Sequence, residues 1–225
     1  LRLLTTWEAV EHEGPGKYDE AYLDYFATLC RMADDYGLYV FVDFHQDVWS
    51  RMTGGDGAPG WTLEAVGLHF SKFHAAGAAH VMQHKYDFAR GGRQEENYPT
   101  MTWSSNYRYP ANAIMWTLFF AGSTFCPDFE IDGQSAQEYL QGHYIGAMEA
   151  VAARVRDLSN VIGFDTLNEP GSGWVGQLMS YRHTGPSQQN PGPARPGLAW
   201  SVIDGLAVAR GLPRMIPEMG VDWEQ

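Results

Sequence analysis

The residues best suited to acid/base chemistry follow a mostly apolar run in the second half of the chain. Asn168 and Glu169 come directly after residues 161–167, and Pro170 then forbids helix continuation and stops strand pairing. The run predicts a β-strand that ends on an amide and a carboxylate. Because a carboxylate held by a rigid strand can transfer protons to a bound substrate, Glu169 is a candidate general acid/base. A solvated acid in a strand-terminal loop is the alternative.

A second run of mostly apolar residues ends in similar groups. Residues 38–44 are rich in β-branched and aromatic side chains, as in a strand covered on both faces, and they lead into His45, Gln46 and Asp47. Two buried strands thus end in acid, amide and imidazole groups. In an α/β barrel these groups would meet at the catalytic face, which the carboxyl ends of the strands form.

Residues 1–8 have the same strand character, but they include a charge. Arg2 stands within an apolar stretch, where an unpaired guanidinium would be costly. The sequence therefore predicts an acidic partner for Arg2, which we expect at the catalytic face. A purely structural buried ion pair is the alternative.

Six sequence blocks together resemble glycoside hydrolase family 5. The likeness is greatest to its fungal glucosylceramidase and steryl-glucosidase branch, which is related to the endoglycoceramidases. Asn-Glu-Pro by itself would be weak evidence, but the set in this order, over residues 1–175, is specific. The blocks are His45–Arg51, Gly54–Pro59, Trp103–Tyr107, Phe119–Gly122, Ile131–Gly133 and Asn168–Pro170.

The resemblance implies a fold and a set of site residues. The fold would be part of a (β/α)8 TIM barrel, about strands two to four, with a large insertion after strand three. In this family an Arg on strand two, a His ending strand three and an Asn-Glu ending strand four surround the sugar. On this sequence the implied acid/base is Glu169. The residues expected to bind substrate are Arg2, His45, Asp47, Trp49 and Asn168.

The implied activity is that of a retaining β-glycosidase that hydrolyses O-glycosidic bonds, with glucosylceramide or a steryl glucoside as substrate. Such an enzyme needs two carboxyl groups about 5–5.5 Å apart. The family's nucleophilic Glu lies on strand seven, which would fall beyond Gln225. Glu218 stands in a Pro- and Gly-bounded stretch and is better interpreted as a loop acid. Alternatives are a catalytically inactive sugar-binding barrel, an endoglycoceramidase and a β-glucanase.

The length of the chain predicts an incomplete barrel. A barrel of about 250 residues uses roughly 31 for each βα unit, whereas this chain has 225 residues and only three convincing strands. We therefore expect residues 1–225 to be a fragment of a catalytic domain. Residues 46–134 would be an insertion that sets specificity, since βα loops usually have about 2–6 residues. Residues 183–197, rich in Pro and Gly, would form a mobile loop or lid.

Helices are predicted on both sides of the insertion. Residues 19–36 form an amphipathic pattern closed by Gly37, and Ser135 with Glu138 forms a capping box that opens a helix to about Leu158. Within the insertion the pattern predicts helices near residues 62–83 and 111–121 and a polar stretch over 90–100. A glycine-rich turn at residues 54–60 would shape the cleft.

The composition fits a soluble enzyme with a neutral substrate. Hydrophobic residues make up 44% of the chain and charged residues 19%. This is enough for a large core, and the apolar runs fall far short of the roughly 18 residues that span a bilayer. The net charge of −12 opposes nucleic acid or an anionic membrane surface as primary partner. A cytoplasmic location is slightly favoured, while secretion and the oligomeric state stay open.

No cofactor or metal is expected. Cys30 and Cys126 form neither a disulfide framework nor a zinc spacing, and Cys30 falls on the apolar face of the first predicted helix. His80 and His84 have the spacing of a helical zinc pair. However, Val81 occupies the position where a metalloprotease of that type carries its Glu.

Overall fold

The computed structural model describes residues 1–73, 76, 78–79, 86–87, 93–94, 103–178, 180, 197–199, 201–209 and 212–219. The chain divides into two compact units, Leu1–Val175 and Gly176–Gln225. Short 3-10 turns span Arg51–Thr53, Phe70–Lys72 and Trp103–Arg108. In chain order the other described elements are β1 (Arg2–Thr5), α1 (Trp7–Glu11), α2 (Glu20–Asp35), β2 (Val40–Phe44), α3 (Trp61–Ala65), β3 (Tyr86–Asp87), β4 (Arg93–Gln94), α4 (Pro110–Phe125), β5 (Glu130–Ile131), β6 (Gln134–Ser135), α5 (Ala136–Val155), β7 (Val161–Asp165), β8 (Gly197–Leu198), α6 (Val202–Ala209) and β9 (Glu218–Met219).

The first unit contains a parallel three-stranded sheet in the order β1, β2, β7. Its register pairs Leu4 with Asp43 and Asp43 with Asp165. The three strands predicted from the sequence are therefore confirmed. Because they are parallel, their carboxyl ends meet at one edge, and the polar residues that follow them lie there together.

Two long helices pack against this sheet. α2 begins after Asp19, whose carboxylate accepts the Tyr22 N–H at 2.8 Å, and it is followed by Gly37 at φ +69°. α5 begins after Ser135, whose hydroxyl accepts the Glu138 N–H at 3.2 Å. Both predicted helices are confirmed, although α5 ends about one turn earlier than expected.

The core lies between the sheet and these helices. Val40 and Val42 of β2 are fully buried together with Cys30 of α2, on the apolar face where the sequence predicted it. A fully buried valine contributes roughly 1.5–3 kcal/mol relative to an exposed one. Leu4 and Phe41 are 49% and 39% exposed, so the described residues leave part of the other face of the sheet uncovered.

The segment after β2 differs from its prediction in one helix. The helix predicted near residues 62–83 is wrong over its described part, because α3 ends at Ala65 and Gly67 then adopts φ +81°. A short 3-10 turn at Phe70–Lys72 follows, and residues 80–83 lie outside the described residues. The second predicted helix is confirmed as α4, which begins at Pro110, where proline is favoured, and is kinked at Ala121, the residue where the predicted helix ended.

The second unit contains α6 and the antiparallel pair of β8 and β9. Glu218 begins β9 and is exposed, so it stands in a short strand and not in the loop expected for it. The predicted lid at residues 183–197 lies outside the described residues, except for Gly197. His80 and His84 also lie outside the described residues. Among the described residues, no helix combines the length and apolarity that crossing a bilayer requires.

Candidate active site

Asn168 and Gln46 join the ends of β7 and β2. The Asn168 side-chain amide donates to the Gln46 carbonyl at 3.0 Å. In return, the Gln46 side-chain amide donates to the carbonyls of Asn168 and Glu169, the latter at 3.0 Å. The Asn168 main-chain N–H also donates to the Phe44 carbonyl at 3.4 Å. The residue that precedes Glu169 is therefore held on its main chain and on its side chain.

Arg2 connects Asn168 to the sheet. Its Nη2 donates to Asn168 Oδ1 at 2.9 Å and lies 3.0 Å from Asp43 Oδ2 and 3.8 Å from Asp165 Oδ2. The acidic partner predicted for Arg2 is thus confirmed. Because an arginine can only donate, it fixes the Asn168 amide with the oxygen facing the guanidinium. An amide nitrogen carries two N–H groups, and Gln46 accepts one, so the other can donate to a substrate.

His45 lies between two aspartates. Its Nδ1 is 2.9 Å from Asp43 Oδ2 and its Nε2 is 3.4 Å from Asp47 Oδ2. Burial by itself lowers the pKa of His45, but the hydrogen bond with Asp43 and the charges of Asp43, Asp56 and Asp47 together outweigh it and raise the pKa above its ordinary value. A protonated His45 adds a hydrogen-bond donor to this edge of the sheet.

A glycine-rich turn lies directly against the end of β2. The Asp47 and Asp56 main chains pair as an antiparallel bridge, and Asp56 Oδ1 accepts the Asp47 N–H at 3.0 Å. A Cβ at Gly55 would lie 1.8 Å from the Asp47 carbonyl oxygen, and a Cβ at Gly57 would lie 2.3 Å from Gln46 Cβ. Only glycine therefore allows this close approach.

The Asp56 carboxyl is affected by its surroundings. Burial raises its pKa, the charge of Asp47 raises it further, and His45 partly opposes the shift. The ionisation of Asp56 is therefore coupled to the charges of Asp47 and His45, two of the residues predicted to bind substrate.

Glu169 is exposed at the end of β7, as a proton-transfer group must be. Its main chain adopts φ +38°, a left-handed conformation that is uncommon for residues other than glycine. The two Gln46 contacts described above help to hold it there. His45, Asp47, Asn168 and Glu169 follow the carboxyl ends of β2 and β7, and the guanidinium of Arg2, the first residue of β1, reaches Asn168 at this edge. That these residues bind substrate stays a prediction.

Trp49 lies elsewhere, although the sequence predicted that it contacts substrate. It is only 2% exposed, packs edge-on against Trp7, Trp116 and Phe119, and donates its indole N–H to Thr62 Oγ1 at 3.1 Å. Trp49 therefore supports the site from the core.

Asp43 and Asp56 are the residues that sequence reasoning missed. Asp43 is fully buried in β2 and holds both Arg2 and His45. Its signal was present, since a charge inside an apolar strand predicts a partner by the same rule that was applied to Arg2. Asp56 gave no such signal, because its contact with Asp47 depends on how the turn folds back.

His45, Asp47 and Asp56 could also be considered as metal ligands. Each offers one ligand atom, and these atoms lie within 4.8 Å of one another. The same atoms already contact Asp43, the Asp47 main chain and each other, and such donors and acceptors equally suit sugar hydroxyls. The absence of a metal stays a prediction.

Comparison with known proteins identifies the family. The model of Cellulase (glycosyl hydrolase family 5) matches residues 1–185. The chain belongs to glycosyl hydrolase family 5. Family 5 membership was predicted from the sequence and is confirmed. An α/β TIM-barrel fold follows from the family and from its solved structures. That the sheet represents strands two to four, and that residues 46–134 form the insertion, remain predictions.

Several of the similar proteins are fungal glucosylceramidases and steryl-glucosidases. Glucosylceramidase of Rhizopus delemar is 46% identical over 176 residues, which cover 78% of this chain and 25% of that protein. Ergosteryl-beta-glucosidase of Saccharomyces cerevisiae is 40% identical over 189 residues, covering 79% and 25%. The crystal structure of Cryptococcus neoformans sterylglucosidase 1 has a TM-score of 0.77 at 38% identity, over 94% of this chain and 29% of that chain. The chain thus spans about a quarter of the length of the curated relatives it matches.

Proposed function

We propose that this chain supplies the acid/base part of a retaining β-glucosidase that hydrolyses glucosylated lipids. The observation that carries the proposal is the exposed Glu169 at the carboxyl end of β7, next to an Asn168 held by Arg2 and Gln46. Glu169 first protonates the glycosidic oxygen as the aglycone leaves. It then takes a proton from the water that releases the sugar.

The other residues at this edge bind the sugar. Asn168 donates its second N–H to the 2-hydroxyl, a contact that strengthens in the transition state. His45 and Asp47 bind further hydroxyls, and Arg2 keeps the Asn168 amide oriented. Neutral sugar hydroxyls suit this mixture of donors and acceptors, and they suit the net charge of −12.

The nucleophile of the double displacement belongs to a part of the enzyme outside residues 1–225. Asp43 is fully buried and paired with Arg2, and therefore cannot reach an anomeric carbon. Glu218 lies in the second unit, at the start of β9. A family 5 chain that spans about a quarter of its relatives is expected to hold only part of a two-carboxylate site.

The substrate class is taken from the similar proteins. Their names point to glucosylceramide and to a steryl glucoside, two β-glucosides with large apolar aglycones. The shared chemistry is a glucose linked through oxygen to a lipid, and we propose this class for the complete protein.

The test compares turnover of glucosylceramide, a steryl glucoside and an activated aryl β-glucoside by the protein of the complete reading frame. Glu169→Gln should lower lipid hydrolysis by about 10²–10⁴-fold, because the amide cannot shuttle a proton. The activated aryl glucoside should lose less in its first step, and azide should restore the second. Glu149→Gln, exposed on α5, is the matched control and should leave turnover unchanged.

Three outcomes would contradict the proposal. Equal small losses of Glu169→Gln on all substrates would remove the acid/base role. A wild-type protein that binds β-glucosides without hydrolysing any would favour a sugar-binding barrel. Release of α-glucose as the first product, observed by proton NMR, would exclude retention.

A further inference from the structure

Two residues at the edge of the sheet have unusual main-chain conformations. Val48, just after β2, adopts φ +68°, and Glu169, just after β7, adopts φ +38°. A β-branched residue in this region is an outlier, and such conformations persist only when surrounding contacts hold them. The contacts that hold these two residues therefore bear on how Glu169 is presented.

One hydroxyl contacts both of these residues. Tyr107 Oη donates to the Glu169 carbonyl at 2.6 Å and accepts the Val48 N–H at 3.1 Å. Tyr107 belongs to the 3-10 turn Trp103–Arg108, which is 59 and 62 residues away in sequence from its two partners. A single side chain thus connects two strand ends that each carry a left-handed residue.

The Tyr107 ring is fixed by packing. A Cβ at Gly171 would lie 2.9 Å from Tyr107 Cδ1, so the segment after Pro170 lies directly on the ring. Trp103 packs edge-on with ring centroids 6.1 Å apart. Burial raises the pKa of the Tyr107 phenol, which keeps its proton available for donation to the Glu169 carbonyl.

We propose that Tyr107 is a positioning residue for Glu169, whose hydroxyl fixes the main chain that aims the catalytic carboxyl at the glycosidic oxygen. This inference rests on the proposed acid/base role of Glu169. Gln46 donates to the same carbonyl at 3.0 Å, so loss of the Tyr107 hydroxyl should loosen the aim of Glu169 without detaching the strand end. The defect should therefore appear in proton transfer more than in substrate binding.

The experiment measures the dependence of rate on the leaving group in the protein of the complete reading frame. Tyr107→Phe removes only the hydroxyl and keeps the ring contacts with Gly171 and Trp103. Hydrolysis of an alkyl β-glucoside, whose poor leaving group needs protonation, should fall roughly tenfold or more in kcat, with little change in KM. Hydrolysis of a dinitrophenyl β-glucoside, which needs little acid assistance, should fall by about threefold or less in its first step.

Tyr22→Phe is the matched control. Its hydroxyl bonds the Thr5 side chain at 2.9 Å on the helix side of the sheet, so its removal deletes a tyrosine hydrogen bond away from Glu169. Any loss in this variant should be equal for both substrates, as for a purely structural change. Equal losses for both substrates in Tyr107→Phe, or no loss, would overturn the proposal.

Two further variants separate the possible failures. If Glu169→Gln discriminates between the two leaving groups and Tyr107→Phe does not, only the positioning role is wrong. If Glu169→Gln also fails to discriminate, the proposed function itself is wrong. Should Tyr107→Phe not fold, Gln46→Met removes the other donor to the Glu169 carbonyl and undergoes the same test, where equal losses again overturn the proposal.

Discussion

Asp43 Oδ2 lies 2.9 Å from Nδ1 of His45, two residues further along the same strand end. Successive residues of a strand alternate between faces, so residues at i and i+2 share one face, and this pair follows that rule. The same oxygen also faces Arg2 at 3.0 Å. A single buried carboxylate thus orders the cation that orients Asn168 and the imidazole predicted to bind substrate.

Asp43→Asn should lower the free energy of unfolding more at acidic pH than at alkaline pH. The hydrogen bond and charge of Asp43 raise the pKa of His45 against the opposing effect of burial. A raised histidine pKa contributes stability that is fully present below the unfolded-state value, about 6.5, and is lost as the pH rises through the folded-state value. The stability difference between wild type and Asp43→Asn should therefore shrink from pH 5 to pH 8.

The measurement is urea unfolding at several pH values, with the His45 pKa followed by NMR. The negative charge that Asp43 presents to Arg2 is lost over this whole pH range, and its loss gives a constant offset in the free energy of unfolding. A difference in stability that grows with pH would contradict the coupling between Asp43 and His45.

Asp56→Asn should stabilise the folded protein at neutral pH, whereas Asp43→Asn destabilises it. Because burial and the charge of Asp47 raise the pKa of Asp56, its ionised form is disfavoured in the folded protein. This destabilisation is absent at low pH and develops as the pH rises above the unfolded-state pKa of about 3.9. An asparagine oxygen can still accept the Asp47 N–H, so the variant should be more stable than wild type at pH 7.

Thermal unfolding at pH 3.5 and pH 7 tests this directly. The gain in stability should be present at pH 7 and largely absent at pH 3.5. A variant that is less stable at both values would mean that the charge of Asp56 is favourable in the folded protein.

Asn168→Ala should lower kcat more than it raises KM. We propose that Asn168 binds the sugar 2-hydroxyl, a contact that strengthens in the transition state, so its loss should reduce kcat by roughly 10²-fold. Steady-state kinetics of the protein of the complete reading frame measure both constants. A change in KM with constant kcat would identify Asn168 as a ground-state contact only.

Gly57→Ala should be strongly destabilising. Its Cβ would lie 2.3 Å from Gln46 Cβ, and the main chain has φ +114°. Overpacking and backbone strain together should cost about 2–4 kcal/mol. Denaturant unfolding gives the difference.

Gly142→Ala is the matched control for that substitution. Gly142 lies within α5 with open space around its Cβ position. Alanine is preferred to glycine inside a helix by about 0.5–1 kcal/mol, so this variant should be slightly stabilised. Similar losses in both variants would show that close packing at Gly57 is not the cause.

Residues 1–225 expressed without further sequence should aggregate. Leu4, Phe41 and Ile162 are 49%, 39% and 64% exposed on strands of the sheet, and exposed apolar strands promote association. Size-exclusion chromatography and dye binding would detect this. A monomeric, cooperatively unfolding and active 225-residue protein would contradict both this expectation and the placement of the nucleophile outside the chain.

The strands could be located from the sequence because local rules mark them. Apolar runs with β-branched residues define β2 and β7, although β7 ends at Asp165, a few residues before the Asn-Glu pair and Pro170 that were predicted to mark its end. The acidic partner of Arg2 followed from the cost of an unpaired charge. These inferences need only a few neighbouring residues.

The rest depends on contacts between distant segments. The apolar run around Asp43 predicts that this charge has a partner, but which groups it contacts depends on the register that sets it opposite Asp165. Tyr107 reaches Glu169 only after the segment between β2 and β7 has folded. The apolar pattern favoured a helix through Gly67, but Gly67 has a positive φ that is incompatible with a helix. The spacing of apolar residues does not reveal such a main-chain conformation. Trp49 is an aromatic residue of the kind that stacks on sugars, but its side chain is buried in the core.

The hydroxyl of Tyr107 has a consequence for loop exchange between family members. Residues 46–134, the predicted insertion, are the segment that one would exchange to change aglycone preference. If the roles proposed for Tyr107 and Glu169 hold, an exchanged segment that lacks the Tyr107 hydroxyl also loses a hydrogen bond to the Glu169 carbonyl. Chimeras that keep Tyr107 and the glycine-rich turn should therefore keep their rate of proton transfer, whereas chimeras without them should change both substrate preference and rate.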